Sequence, residues 1–242
     1  MRRGIFLAPF DDLSDPRLVA ELAAEAESAG WDGFFVWDHV RYTTPRGEVA
    51  DPWITLSAVA LATERLRIGP LVTPLSRRRV HKLARETVTL DRLSGGRLIL
   101  GAGLGSDNHG ELDFPGEERD PKARAKLLDA GLAQLDAYWA GEFVPRPAQQ
   151  PRIPIWIAGR YPAKPPMRRA ARWDGFFPIE LPDPDALREI ASQLPGPPFD
   201  LVVEIEPGDD PAPWAAAGAT WVLTSFGKAP APADVRAVIA AL

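Results

Sequence analysis

The sequence predicts an α/β protein, a compact (β/α)8 TIM barrel with trimmed loops, built as one domain over residues 1–242. Three observations predict it. Short apolar runs alternate with helix-patterned segments eight times along the chain. The runs are continuously apolar, as in strands buried on both faces. The chain is 242 residues long, close to the roughly 250 of one such barrel. An open doubly wound sheet is the competing architecture, because it also alternates strands with helices.

The first strand is expected from Gly4 to Pro9, around Ile5-Phe6-Leu7-Ala8. Asp15-Pro16 opens a helix, since proline suits a first turn, and Gly30 ends it. Val19, Leu22, Ala23 and Ala26 recur within it at helical spacing. Gly33 to Trp37 reads as the second strand, Pro52 to Thr63 as a helix, and Leu66 to Val72 as the third strand. Arg79 to Leu93 is a helix that runs into a Ser94-Gly95-Gly96 turn. The fourth strand follows from Arg97 to Leu100, with a glycine-rich exit, Gly101-Ala102-Gly103-Leu104-Gly105. Lys122 to Trp139 is a long helix with Leu128, Leu132, Leu135 and Trp139 on one stripe. Ile153 to Ala158, Asp174 to Pro178, Asp200 to Ile205 and Ala219 to Thr224 read as strands five to eight. Met167 to Arg172, Asp185 to Leu194, Ala212 to Ala217 and Ala233 to Leu242 read as the helical segments that follow them. Pro145 to Pro154, with four prolines, reads as a surface connection.

Composition excludes several classes. The chain is 45% hydrophobic and 25% charged, which suits a globular protein with a sizeable core. A net charge of -5 argues against a nucleic-acid surface. With no cysteine there is no disulfide, thiolate metal site or cysteine nucleophile. The three histidines, His39, His81 and His109, are too few for a histidine-rich metal site. No apolar run approaches the roughly 20 residues of a membrane helix. The opening MRRGIFLAPFDD is too short in its apolar part for a leader and lacks a cleavage site; it reads as the first strand of a cytoplasmic protein.

A barrel carries its chemistry at the carboxyl ends of its strands. Those ends are Pro9-Phe10, Asp38-His39, Thr73-Pro74, Gly101 to Asp107, Gly159-Arg160-Tyr161, Ile179-Glu180, Glu204 to Glu206 and Thr224-Ser225-Phe226. The lining is aromatic, glycine-rich and polar without a dense carboxylate cluster, which suits a planar organic ligand better than a metal. Asp38-His39 is the one acid–imidazole pair at a strand end. Its imidazole either moves a proton and holds a ligand atom, or only packs and bonds to backbone. His81 reads as structural or surface, and His109 as part of a solvated loop. Asp38, His39, Asp107, His109 and Glu111 offer an alternative oxygen-and-imidazole metal set, without any paired-histidine motif. The spacing Gly101-x-Gly103-x-Gly105 is not a dinucleotide fingerprint, because no helix opens after it. These glycines still let a ligand approach backbone. Arg160, Lys164, Arg168 and Arg169 surround a strand end and a helix start, which favours an anion such as phosphate over a solvated basic face.

Taken together, these pieces resemble the bacterial luciferase-like flavin-dependent oxidoreductase family. The resemblance is densest from Asp51 to Gly69. It continues through Leu71 to Leu75 and Arg77 to Gly105, and returns in Pro154 to Gly159 and Ala170 to Gly175. Trp37-Asp38-His39 and Arg77-Arg78-Arg79 look like the actinobacterial branch, which is FMN- or F420-dependent. The resemblance implies a barrel that binds FMN or the deazaflavin F420 at its mouth. It places His39 near the flavin ring, with Asp38 bracing it, as the catalytic pair. It places a non-proline cis peptide at Leu71-Val72, with Thr73 beside the ring. It places the cofactor tail and phosphate at Gly101, Gly103, Gly105 and Ser106 and at Gly159, Arg160, Tyr161 and Lys164. Two departures stand out: a short connection after Trp139 with trimmed later loops, and Arg160-Tyr161 where relatives often carry serine or threonine.

The function expected from this resemblance is a flavin- or F420-dependent oxidoreductase or monooxygenase acting on a small organic substrate, with no membrane or nucleic-acid partner. A non-catalytic cofactor-binding barrel and a metal-dependent TIM-barrel hydrolase are the alternatives. The resemblance also implies a homodimer through Pro52 to Thr63 and Arg79 to Leu93, although burial against the barrel explains the same apolar pattern.

Overall fold

The computed structural model describes all 242 residues. Nine parallel strand segments are β1 (Arg2–Leu7), β2 (Gly33–Val36), β3 (Arg67–Pro70), β4 (Thr73–Pro74), β5 (Leu100–Gly103), β6 (Ile155–Arg160), β7 (Gly175–Ile179), β8 (Asp200–Ile205) and β9 (Trp221–Ser225). The helices are α1 (Pro16–Ala29), α2 (Pro52–Ala62), α3 (Val80–Leu93), α4 (Pro121–Ala137), α5 (Lys164–Ala170), α6 (Pro184–Ala191), α7 (Ala212–Ala216) and α8 (Pro232–Ile239). The ladder runs β3-β2-β1-β9-β8-β7-β6-β5-β4. A further parallel bridge, Ile68 to Leu98, links β3 back to the β5 segment and closes the ring. β3 and β4 are the two halves of the third barrel strand, interrupted at the Leu71–Val72 peptide, which is cis as the resemblance implies.

Four helices start on an Asp-Pro pair. Asp15, Asp51, Asp120 and Asp183 each accept a hydrogen bond from a first-turn N–H, while the following proline supplies a preset φ. α5 begins at Lys164, three residues before the expected Met167, because Pro165 and Pro166 fit a first turn rather than block it. α4 ends at Ala137 and passes into a wider turn over Tyr138–Glu142 that buries Trp139.

Two apolar shells hold the barrel. The outer one packs helices on strands, with Leu22, Leu56, Leu132 and Ile155 among its members. The inner one is Phe6, Phe35, Leu71, Ile99, Trp156, Ala158, Phe177, Val202, Trp221 and Leu223. Large rings are fitted by small neighbours: a Cβ on Gly33 would lie 2.8 Å from Trp221, and one on Gly175 2.4 Å from Trp156. The lower barrel is therefore a filled core. Higher up, Ala8, Gly103 and Ala158 replace the rings, so the filling stops below the mouth.

The amino-terminal face is locked by polar side chains. The buried Arg97 guanidinium donates to the carbonyls of Ala60, Thr63, Leu66 and Ser94. Asp91 accepts from the N–H groups of Ala148 and Gln149, which ties the proline-rich connection under the barrel. Conserving strand ends against helix ends in this way is a stability device, away from the chemistry.

The fourth strand differs from expectation. It runs through Gly101 and Gly103, which pair with neighbouring strands, so the exit begins only at Leu104. The reason lies across the barrel wall. A Cβ on Gly101 would lie 2.2 Å from Leu71 Cδ2 and 2.5 Å from the Pro70 carbonyl; one on Gly103 would lie 2.5 Å from Val72 Cγ1. The glycines make room for the bulge at residues 70–72.

Candidate active site at the barrel mouth

His39 leaves β2 at the mouth. Its Nδ1 lies 2.9 Å from Glu111 Oε2. Glu111 is fully buried and also accepts from Arg77 at 2.5 Å and from the Val40 N–H at 2.9 Å. Burial pushes the Glu111 carboxyl up, but the hydrogen bonds from His39 and Arg77, the His39 charge and the Val40 N–H outweigh it and bring it to about 2. An ionised carboxylate only accepts, so Nδ1 is the donor in this pair whether the ring is charged or, when neutral, carries its single proton there. Nε2 then presents a lone pair with no protein partner.

The expected bracing of His39 by Asp38 is not formed. Asp38 is buried and receives both its hydrogen bonds, at 2.7 and 2.8 Å, from Arg78. Consecutive residues in extended chain project to opposite sides, so neighbours in sequence rarely share a target. Glu111, from the loop after β5, supplies the brace instead. Sequence reading met Glu111 only as a metal-ligand alternative, and Arg77 and Arg78 only as a family mark. Those alternative ligands are otherwise engaged: Asp38 by Arg78, Glu111 by Arg77 and His39, and Asp107 by the Leu112 N–H.

An aromatic wall surrounds His39. Phe10, Trp37 and Tyr42 have ring centroids 6.0, 5.9 and 4.9 Å from the imidazole. His109, expected in a solvated loop, is half-buried and stacks on Tyr42 at 3.7 Å. Its pKa is lowered by burial, then by the charges of Lys228 and His39. The Tyr42 hydroxyl is pushed up by burial and by the Glu111 charge.

Several buried polar atoms near the bulge have no partner: Trp37 Nε1, Thr73 Oγ1, Ser76 Oγ and Arg124 Nε. Arg124, on α4, donates to the Leu104 carbonyl at the β5 exit. Gly105 (φ +71°) there abuts Pro74, which lies between Thr73 and Ser76. Ser106 follows, partly buried. Buried polar groups are normally paired, so these orphans offer hydrogen bonds to a ligand; the indole N–H groups of Trp53, Trp173 and Trp221 are unpartnered elsewhere in the fold.

The second expected phosphate turn is organised differently. Gly159 faces Pro166 of α5, 2.1 Å from where a Cβ would sit, and so serves helix packing. Arg160 pairs with Glu180 at 2.8 Å. Tyr161 and Lys164 line a cleft of about 130 Å3 with Phe176, Pro178 and Ile190. Phe176 belongs to the outer shell, so this cleft is on the barrel's outer wall. A larger cleft of about 310 Å3, lined by Gln149, Gln150, Arg152 and Asp174, lies at the amino-terminal face and is remote from His39.

The luciferase-like monooxygenase family model matches residues 1–194. An F420-dependent glucose-6-phosphate dehydrogenase of Beutenbergia cavernae is 38% identical over 134 residues, 53% of this chain. The chain spans only 39% of that relative's length. An uncharacterised protein of Mycobacterium tuberculosis is 28% identical over 271 residues, covering 97% of this chain and 94% of that protein. Among solved structures, an F420-dependent secondary alcohol dehydrogenase in complex with an F420-acetone adduct has a TM-score of 0.80 at 15% identity, over 99% of this chain and 96% of that one. The oxygenating constituent of 3,6-diketocamphane monooxygenase from Pseudomonas putida, in complex with FMN, has a TM-score of 0.64 at 18% identity, over 87% and 69%. The structural likenesses establish a shared barrel fold. With the family model covering well over half of its length, the chain belongs to the luciferase-like monooxygenase family.

Proposed function

We propose that this protein is an oxidoreductase that binds F420 or FMN at the barrel mouth and acts on a small organic substrate. The observation that carries the reading is the oriented imidazole. His39 follows β2 at the mouth and is held by an ionised, buried Glu111, itself fixed by Arg77, while Nε2 has no hydrogen-bond partner in the protein. When bound, F420 or FMN supplies the redox-active ring.

The chain's own residues do the rest. Leu71 and Val72 form the apolar support on which a planar ring rests, and Gly101 and Gly103 let that support stand where it does. The unpartnered Trp37 Nε1 and Thr73 Oγ1 donate to ring polar atoms. Ser76, Gly105, Ser106 and Arg124 receive the anionic tail, since a buried guanidinium with a spare N–H suits a phosphate oxygen. This reading moves the tail toward β5 and leaves Tyr161 and Lys164 outside it. His39 Nε2 takes or returns a proton at the reacting substrate atom. Glu111 stabilises the imidazolium that results, and Arg77 keeps Glu111 charged. Asp38 with Arg78 anchors the segment that carries His39. The aromatic wall excludes water.

The same reading makes the chain a homodimer through α2. Ile54 and Leu61 are 65% and 75% exposed on one face of that helix. No helix is long and apolar enough to cross a membrane.

Two measurements test the reading. Titration of the purified protein with FMN and with F420, oxidised and reduced, should show one of them binding; binding of neither removes the proposal. His39→Ala should lower turnover more than it weakens cofactor binding. Equal losses would make His39 a cofactor ligand alone.

A further inference from the structure

Several carboxyl groups stand at the mouth: Asp11 and Asp107 accept hydrogen bonds from the Thr44 hydroxyl and the Leu112 N–H, and three others are matched by cations. Asp38 has Arg78, Glu111 has Arg77 and His39, and Glu180 has Arg160. Glu204 has neither an ion pair nor a hydrogen bond. The register of β8 sets its direction. Val202 belongs to the inner shell and Val203 to an outer cluster, so Glu204 points inward again. Its partner across the ladder, Leu223, is also an inner-shell residue. Glu204 therefore sits one layer above the filled core, partly buried, at the floor of the mouth. β8 is the seventh barrel strand and stands opposite the third, which carries the Leu71–Val72 bulge. Along the rim from Glu204 to His39, the strands between them present Ser225 and Ala8, both small, and then Phe10, Trp37 and Tyr42.

We propose that Glu204 is a specificity-determining residue of this mouth and that it selects substrates carrying a basic nitrogen. The ammonium group meets the Glu204 carboxylate, and the apolar part lies against Phe10, Trp37 and Tyr42. This rests on the reading that substrate binds in the mouth. An ammonium supplies the counter-charge that Glu204 lacks, and aromatic faces attract cations, as Lys228 Nζ, 5.5 Å from the Tyr42 ring centroid, already shows. An alcohol or ketone of the same shape leaves the carboxylate unmatched.

The charges around Glu204 are few. Glu180, with its partner Arg160, lies on the β7 side; β9 itself presents no charged side chain, and Lys228 in the loop after it lies over Tyr42; Glu206 is exposed just past β8, and Asp200 lies at the far end of β8. Burial, and then the Glu180 charge, push the Glu204 carboxyl up. An arriving ammonium opposes that push, because an opposite charge alongside favours the ionised carboxylate.

The test is calorimetric titration of benzylamine and benzyl alcohol, near-isosteric probes. The samples are the intact chain, with and without bound cofactor, and the Glu204→Gln and Glu204→Asp variants. Benzylamine should bind at least about tenfold tighter than benzyl alcohol. Glu204→Gln should weaken the amine by about tenfold or more and leave the alcohol unchanged, while Glu204→Asp retains the preference. Equal binding of the two probes, amine binding indifferent to Glu204→Gln, or no amine binding overturns the proposal. Cofactor titration of the same samples reads separately on the cofactor site, so failure of one is distinguishable from failure of the other.

Discussion

Replacing Glu111 by Gln keeps the side chain's shape and removes its charge. In the folded protein the carboxylate is fully buried between Arg77, His39 and the Val40 N–H. A carboxyl brought to about 2 from an ordinary 4.5 favours the folded state by about 3 kcal/mol, at about 1.4 kcal/mol for each pH unit. Breaking a buried pair by removing one partner costs a similar amount, about 3–5 kcal/mol, because the other charge is left buried. Arg77, with 7% of its side chain exposed, is that other charge. For a chain of this size, about 3 kcal/mol lowers Tm by about 6–12 °C. The folded-state pKa is depressed, so this stability is present above about pH 4.5 and is lost as pH falls toward about 2. Urea denaturation of wild type and Glu111→Gln between pH 3 and 7 reads it directly. The stability gap should be full near neutrality and close as acid is added. A Tm for Glu111→Gln within about 1 °C of wild type at pH 7, or a gap that widens with acid, would refute the buried-carboxylate argument.

Gly101→Ala forces a Cβ to within 2.5 Å of the Pro70 carbonyl, which is backbone and cannot rotate away, so urea denaturation should show a loss of about 1–3 kcal/mol. Gly196→Ala, with open space around the added Cβ, should change stability by less than about 0.5 kcal/mol and serves as the control. Ile54→Glu with Leu61→Glu, on the face of α2 left exposed in the single chain, should convert the proposed dimer to a folded monomer in sedimentation; a dimer that persists puts the interface elsewhere.

Much of the fold was legible because local and global signals agree. Asp15-Pro16 marked one helix start, and continuous apolar runs marked strands buried on both faces; the Asp120-Pro121 and Asp183-Pro184 starts were each missed by one residue, at Lys122 and Asp185. The fourth strand was misplaced because glycine is a poor strand residue. What makes Gly101 and Gly103 strand residues is the presence of Leu71 and Val72 in the space their side chains would fill, a tertiary fact. The site was legible only in outline. His39 was identified from its place after a strand, but its brace was assigned to the adjacent Asp38. The true partner is 72 residues away in the chain, on a loop with no periodic pattern, and no local spacing connects them. Arg124 was hidden for a similar reason: inside a helical stripe it looks like any surface cation until the α4 start is seen to lean on the β5 exit. Gly159, Tyr161 and Lys164 were read as a phosphate turn because a basic run follows a strand; the pattern does not say which wall it faces, and in the structure Gly159 packs on Pro166 while Tyr161 and Lys164 line a cleft with Phe176.

The central claim is that a flavin-type cofactor sits at this mouth with its anionic tail toward Arg124. The most direct measurement is a parallel absorbance and fluorescence titration of F420 and FMN into wild type, Arg124→Met and Lys164→Met. Wild type should bind one of the two, Arg124→Met should bind it at least about tenfold more weakly, and Lys164→Met should match wild type. Binding of neither cofactor contradicts the account, as does an affinity that depends on Lys164 and ignores Arg124.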